Sequence, residues 1–297
     1  MPNANGKRPV VFDRRQGFAD LPVELPCGQC IGCRLERSRQ WAVRCVHESQ
    51  MWDRNCFITL TYDEAHLPED RSVDVRHFQL FMKKLRKRYG AGIRFFHCGE
   101  YGTQNQRPHY HAIIFNHDFE DKKLWKIVND NPLYVSPSLE GLWEQGFCSV
   151  GAVTFASAAY VARYIMTKWT GPEAQSKYQW IDPTTGEVHQ RRPEYITMSR
   201  GRKAPGGIGA AWLAKYAGDL RRGDRVVLNG AEMKPPRYYD EQMQLLDEAH
   251  MKTARRTRVR EARKHAADQT KERLAVREKV QEARLSRLPR TLGKDKK

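Results

Sequence analysis

The 297-residue chain has no apolar run approaching the roughly 20 residues of a membrane-spanning helix. Its first residues, Met1 to Gly17, are polar and basic and lack the apolar core of a secretory signal, so the expected compartment is a cytoplasm. Seven cysteines, an odd number, argue against a disulfide framework. There is no G-K-[ST] phosphate-binding loop. The glycine-rich run Met198–Gly209 has the wrong spacing for one, which leaves nucleotide binding and a built-in helicase unsupported. Internal repeats are absent. Acidic residues are in short supply: 35 against 52 basic ones give a formal charge of +17. Residues 251–297 alone hold 17 Lys and Arg against 6 Asp and Glu, so most of the excess is a tail. A polyanionic partner is the natural inference, because phosphate neutralisation dominates nucleic-acid affinity. Membrane-surface binding is the rival for a basic helix, but Arg255 to Lys279 has only scattered Val, Leu and Ala and no broad apolar face.

What is present starts with Arg107-Pro-His-Tyr-His-Ala-Ile-Ile-Phe115. Ala112 to Phe115 reads as a buried strand, on which His109 and His111 point to one face about 7 Å apart. The preceding strand candidate, Ile93 to Glu100, ends in a carboxylate. If residues 103–108 form the connecting loop, Glu100 pairs opposite His109. Two imidazoles and one carboxylate on one sheet face can hold a metal ion and leave positions open for substrate. The plainer reading is a hydrogen-bonded histidine pair. About 50 residues on, Tyr160, Tyr164 and Lys168 fall at i, i+4 and i+8 and line one face of a helix. They are either core aromatics with a snorkelling lysine or two phenols offered as nucleophiles to a metal-activated electrophile.

Cys27, Cys30 and Cys33 form a C-x2-C-x2-C run. Structural zinc normally takes four ligands, so Cys45 or His47 is a candidate for the fourth. The alternative is three thiols lining a glycine turn. An iron–sulfur site fits less well, because Pro26 precedes the first cysteine instead of following a fourth.

The rest of the chain divides by pattern. Residues 1–20 read as a flexible arm, 21–50 as the cysteine turn and a helix (Leu35 to Trp52), and 51–170 as a folded core. Residues 171–240 read as a Gly/Pro-rich accessory segment and 241–297 as a basic tail, helical or disordered. Within the core, Cys56 to Tyr62 is a strand and Asp74 to Tyr89 an amphipathic helix with a basic outer surface. Helices are expected over Phe119 to Ile127 and Ser138 to Gln145, a strand over Phe147 to Thr154, and the tyrosine helix over Ala156 to Lys168. The resulting order is an α+β, ferredoxin-like split βαβ pattern with an antiparallel central sheet. Arg163, Arg200, Arg202 and Lys203 are candidate DNA contacts, although a solvated loop accounts equally for the last three. A helix is expected over Ala210 to Leu220.

Together these blocks resemble the HUH endonucleases that initiate rolling-circle replication. The likeness is closer to the replication initiators of microviruses, especially the gokushovirus group. It is carried by Phe57-Ile-Thr-Leu-Thr-Tyr62, by His109-Tyr-His111 with Glu100 upstream, by Tyr160 and Tyr164, and by Pro26-Cys-Gly-Gln-Cys-Ile-Gly-Cys-Arg34. It spans about Pro26 to Lys168, weakening towards Tyr216. The resemblance implies an HUH fold and a Mg²⁺- or Mn²⁺-dependent endonuclease and ligase that nicks single-stranded origin DNA in a host bacterial cytoplasm. It also implies a 5′-phosphotyrosine on one tyrosine, circle closure through the other, and dependence on a host DNA polymerase and helicase. Its lysine usually follows the second tyrosine by three residues. Here that position is Thr167, which makes a catalytic role for Lys168 less secure. The rival readings are a non-catalytic single-strand binder of RNA-recognition-like fold and a metal hydrolase that activates water.

Overall fold

A computed structural model describes residues 10–18, 25–102, 105–167, 174–201 and 206–287, with only the backbone of 164–167. In chain order the elements are α1 (Ile31–Ser49), β1 (Asn55–Thr61), α2 (Val75–Tyr89), β2 (Arg94–Tyr101), β3 (Pro108–Phe115), β4 (Lys123–Val128), β5 (Asn131–Val135) and α3 (Pro137–Trp143). They continue with β6 (Cys148–Gly151), α4 (Phe155–Thr167), α5 (Ala174–Lys177), β7 (Gln179–Ile181), β8 (Val188–Gln190) and β9 (Tyr195–Met198). The last group is α6 (Ala210–Gly223), β10 (Val226–Leu228), β11 (Ala231–Met233), α7 (Arg237–Leu246), α8 (Glu248–Arg263) and α9 (Lys271–Arg287).

Seven strands form one antiparallel sheet in the order β4-β5-β6-β1-β3-β2-β9. The protein is therefore α+β. Strands β1 and β2 both run antiparallel to β3, which lies between them, and α2 connects them: a split βαβ unit.

Alternation along β1 and β3 assigns the two faces. Cys56, Ile58, Leu60, Tyr110, Ala112 and Ile114 face α2 and α3. Helix α2 meets them with Phe78, Phe81, Met82 and Leu85, whose i, i+3, i+4, i+7 spacing makes one apolar stripe. Its start is fixed by Asp74, whose side chain accepts the Arg76 N–H at 2.7 Å. The opposite face carries Phe57, Ile113, Phe115, Phe96 and Cys98 and is covered by α1 and α4. The histidines and the tyrosine helix therefore share a face.

The helix expected over Phe119 to Ile127 is instead a turn leading into β4, the first strand of the hairpin β4–β5. Leu124, Trp125, Ile127 and Val128 mimic helical spacing, yet Asn129 and Asp130 take positive φ (47° and 62°), the conformation of a two-residue hairpin turn. A register shift between Leu124 and Lys126 breaks the strand's own period. Strand β9, which pattern did not reveal, extends the sheet beyond β2. Downstream, Tyr239, Met243 and Met251 pack with Leu213 and Val43 of α6 and α1, and Arg258 pairs with both Asp224 and Asp240. Among the described residues, the basic segment is mostly helical as far as Arg287, and its first half is anchored. No helix among the described residues is long and apolar enough to cross a membrane.

Candidate metal centre and nucleophile

Strands β2 and β3 pair with Glu100 opposite His109 and Cys98 opposite His111. The two-residue repeat brings both imidazoles to the carboxylate: His109 Nε2 lies 2.7 Å and His111 Nε2 2.9 Å from Glu100 Oε1. The far side of each ring is held as well. His109 Nδ1 is 3.2 Å from the Arg107 carbonyl, which can only accept, so Nδ1 carries the hydrogen in that bond. His111 Nδ1 pairs with the Thr59 hydroxyl at 3.0 Å, and its ring stacks on Phe57. Side-chain exposure is 4% for Glu100, 7% for His111 and 19% for His109, so the site opens on the His109 side.

A buried carboxylate needs a compensating charge. Burial disfavours the Glu100 anion, but hydrogen bonds from both histidines outweigh it and hold the carboxyl below its usual range. For His109, burial opposes protonation, and the Glu100 contact overcomes it and raises the pKa. For His111, burial prevails and lowers it. One proton or one cation beside Glu100 satisfies the site. Ligand atoms from Glu100, His109 and His111 all lie within 4.8 Å of one another. With Nδ1 of each ring occupied and Nε2 turned inward, the donor set fits a divalent ion.

Helix α4 brings Tyr160 to the same place. Its hydroxyl is 3.4 Å from His111 Nε2 and 3.5 Å from Glu100 Oε1, and its ring meets His111 and Phe57 edge-on. The Arg163 guanidinium lies 5.8 Å from the Tyr160 ring centre. Tyr164 is on α4 with its side chain outside the described residues, and Lys168, Arg202 and Lys203 are also outside them. Arg200 is exposed after β9. Thr59 was not singled out from the sequence. The signal was in the strand itself, since the alternation Phe57-Ile-Thr59-Leu-Thr61 places both threonines on the histidine face.

The three N-terminal thiols also converge. Cys27, Cys30 and Cys33 have sulfurs within 4.8 Å of one another at the start of α1. Gly28 is left-handed (φ 72°), and the loop turns so that the Cys30 N–H reaches Cys27 Sγ at 3.2 Å. That bond, with one from the Gln29 N–H, brings the Cys27 thiol down to about 7. The expected fourth ligands do not join them. Cys45 lies twelve residues beyond Cys33, about 18 Å along the helix. It is fully buried among core residues, and burial pushes its thiol well up. His47 stacks on Trp212 with ring centres 3.5 Å apart and meets the Tyr239 hydroxyl at 2.9 Å, and burial takes it down to about 3.

The site is thus an acid–histidine–histidine cluster beside a tyrosine on one face of an antiparallel sheet. The family model described as Replication-associated protein ORF2/G2P matches residues 55–169, the span that holds the whole centre. The chain is 36% identical over 250 residues to Replication-associated protein VP4 of Bdellovibrio phage phiMH2K, covering 80% of this chain and 73% of that one. It is 31% identical to Replication-associated protein ORF2 of Spiroplasma virus 4 (74% and 68%) and 30% identical to Replication-associated protein ORF4 of Chlamydia phage 1 (75% and 54%). The chain belongs to this family of phage replication-associated proteins. No solved structure matches it.

Proposed function

We propose that the protein is an HUH-type endonuclease and ligase that nicks single-stranded origin DNA to start rolling-circle replication. The observation that carries this reading is the Tyr160 hydroxyl within 3.5 Å of both His111 and Glu100. A packing tyrosine has no need to point its hydroxyl at a ligand set. Glu100, His109 and His111 would hold Mg²⁺ or Mn²⁺, which would polarise a non-bridging oxygen of the scissile phosphate. The phosphate enters from the His109 side. Tyr160 Oη bonds to phosphorus as the bond to O3′ breaks; the phenol loses a proton and the leaving O3′ gains one. The products are a 5′-phosphotyrosine and a free 3′-hydroxyl for a host polymerase, with a host helicase unwinding. Tyr164, one helical turn along α4, is the second nucleophile, and attack of a later 3′-hydroxyl on the adduct closes the circle. Arg163 and Lys168 favour phenolate, while Arg200, Arg202 and Lys203 contact DNA backbone. Separately, Cys27, Cys30 and Cys33 supply three thiolates to a structural Zn²⁺.

The test is covalent trapping on an origin oligonucleotide, with mass mapping of the linked peptide. Tyr160→Phe and Tyr164→Phe each leave partial cleavage, and the double variant leaves none. His109→Ala and His111→Ala abolish cleavage yet bind single strands nearly normally. An adduct outside both tyrosines, one formed by the double variant, or cleavage surviving EDTA and dialysis refutes the mechanism.

A further inference from the structure

The sheet register extends the candidate site sideways. Glu100 pairs with His109, and His109 with Thr61. The Thr61 N–H donates to the Phe147 carbonyl at 3.0 Å, continuing the register in which Leu60 faces Cys148. Phe147 therefore stands opposite Thr61. Opposed residues of an antiparallel ladder project from the same face, so Glu100, His109, Thr61 and Phe147 form one transverse row. At about 4.8 Å per strand, Phe147 is roughly 10 Å from His109. The row continues onto the hairpin. Where the β4 register shifts, Lys126 pairs with Leu133 and Trp125 becomes the extra residue of the bulge. That turns the Trp125 indole towards Phe147, with ring centres 4.6 Å apart and planes at 55°. Lys126 Nζ sits 4.3 Å above the indole. Trp125 and Phe147 are 46% and 41% exposed, so nearly half of each residue is open to solvent.

We propose that Phe147 and Trp125 form a stacking platform for unpaired bases flanking the scissile phosphate, with Lys126 and the exposed Lys123 on the sugar–phosphate backbone. The proposal rests on reading the site as a single-strand nuclease. Three features favour a nucleic-acid occupant. The platform is in line with the candidate centre on the same sheet face. Its distance from His109 is about three nucleotides at the ~3.4 Å rise of stacked DNA. Aromatic faces interleaved with lysines are how single strands are gripped without sequence readout, whereas a buried protein contact would leave those ammonium groups to be desolvated.

The experiment uses the full chain in EDTA, so that no cleavage intervenes, and a fluorescent oligothymidine of about 20 nucleotides. Trp125→Ala and Phe147→Ala should each weaken binding about tenfold or more, with Trp125→Phe retaining most of the affinity. Lys126→Gln should lower the salt slope by about 0.7. On an origin oligonucleotide scanned with abasic sites, one flanking position should cost the wild type affinity but cost Trp125→Ala little. Wild-type affinity in both alanine variants overturns the platform. So does a change confined to oligomeric state, which would assign the hairpin to a second copy of the chain. Trapping of the tyrosine adduct by the wild type is scored separately: a normal adduct with indifferent platform variants removes only the platform, and an absent adduct removes the nuclease reading.

Discussion

Replacing Thr59 by Val separates a metal centre from a buried ion pair. Valine keeps the β-branched shape that suits a central strand and removes only the hydroxyl 3.0 Å from His111 Nδ1. If Glu100, His109 and His111 are merely paired to each other, the change takes the Thr59 hydroxyl from a buried ring nitrogen, about 1–3 kcal/mol of stability, and does nothing else. If they hold a metal, that hydroxyl fixes the rotation of a ligand ring and the nitrogen that bears its hydrogen. Losing such a partner weakens metal affinity about 10- to 100-fold, or about 1.4–2.7 kcal/mol. Phe57 still stacks on the ring, which limits its freedom and favours the lower part of that range. Titration calorimetry with Mn²⁺ reads the affinity, and urea unfolding of the metal-free protein reads stability. Nicking should fall in proportion at limiting Mn²⁺ and recover when the ion is saturating, while His111→Ala should not recover. An unchanged Mn²⁺ affinity alongside the expected stability loss would refute the ligand role of His111.

Other outcomes follow from single contacts. Glu48 is fully buried, 2.7 Å from Arg94 Nε, and accepts the Gly209 N–H at 2.7 Å. Glu48→Ala should cost about 3–5 kcal/mol in urea unfolding by stranding Arg94; a loss under 1 kcal/mol would show that the pair is well solvated. With its thiol at about 7, Cys27 should be alkylated near neutral pH well ahead of the buried Cys45, Cys56, Cys98 and Cys148, and Zn²⁺ should protect it. Emission spectrometry should find about one zinc per chain, lost in Cys30→Ser. Removing residues 271–297, which hold 10 basic and 4 acidic residues, should flatten the salt dependence of DNA binding and leave stability nearly unchanged. An unchanged slope would assign α9 to another partner.

The parts of the candidate site that could be read from sequence were those with a strict short period. The two-residue spacing of His109 and His111 and the constant index sum across the β2–β3 turn determine which atoms meet, so the Glu100–His109 pairing followed without a structure. The four-residue spacing of Tyr160 and Tyr164 predicts a shared helix face. It did not say which sheet face α4 would cover, because that depends on tertiary packing with α1. The β4–β5 hairpin was misread because its bulge shifts the apolar residues into helical spacing, and only the Asn129-Asp130 turn gives it away. Cys45 and His47 were attractive as ligands by identity alone. Their distance from Cys33 follows from the rise of α1, whereas the Tyr239 and Trp212 that close over His47 come from elements far downstream in the chain.

Strand β9 gives the order of synthesis a physical meaning. It pairs with β2, the strand that carries Glu100, and Tyr195 presses so closely on Gly99 that a β-carbon there would lie 2.7 Å from the ring. Until residues 195–198 leave the ribosome, the flank of β2 is an unpaired edge beside a nearly complete centre. A nascent chain ending after α4 already contains Glu100, His109, His111 and Tyr160, but it exposes a strand that can pair with any other chain. Stalled or proteolysed products of that length should therefore aggregate through β2, and the span shared with the family model needs its downstream neighbour to cover that edge.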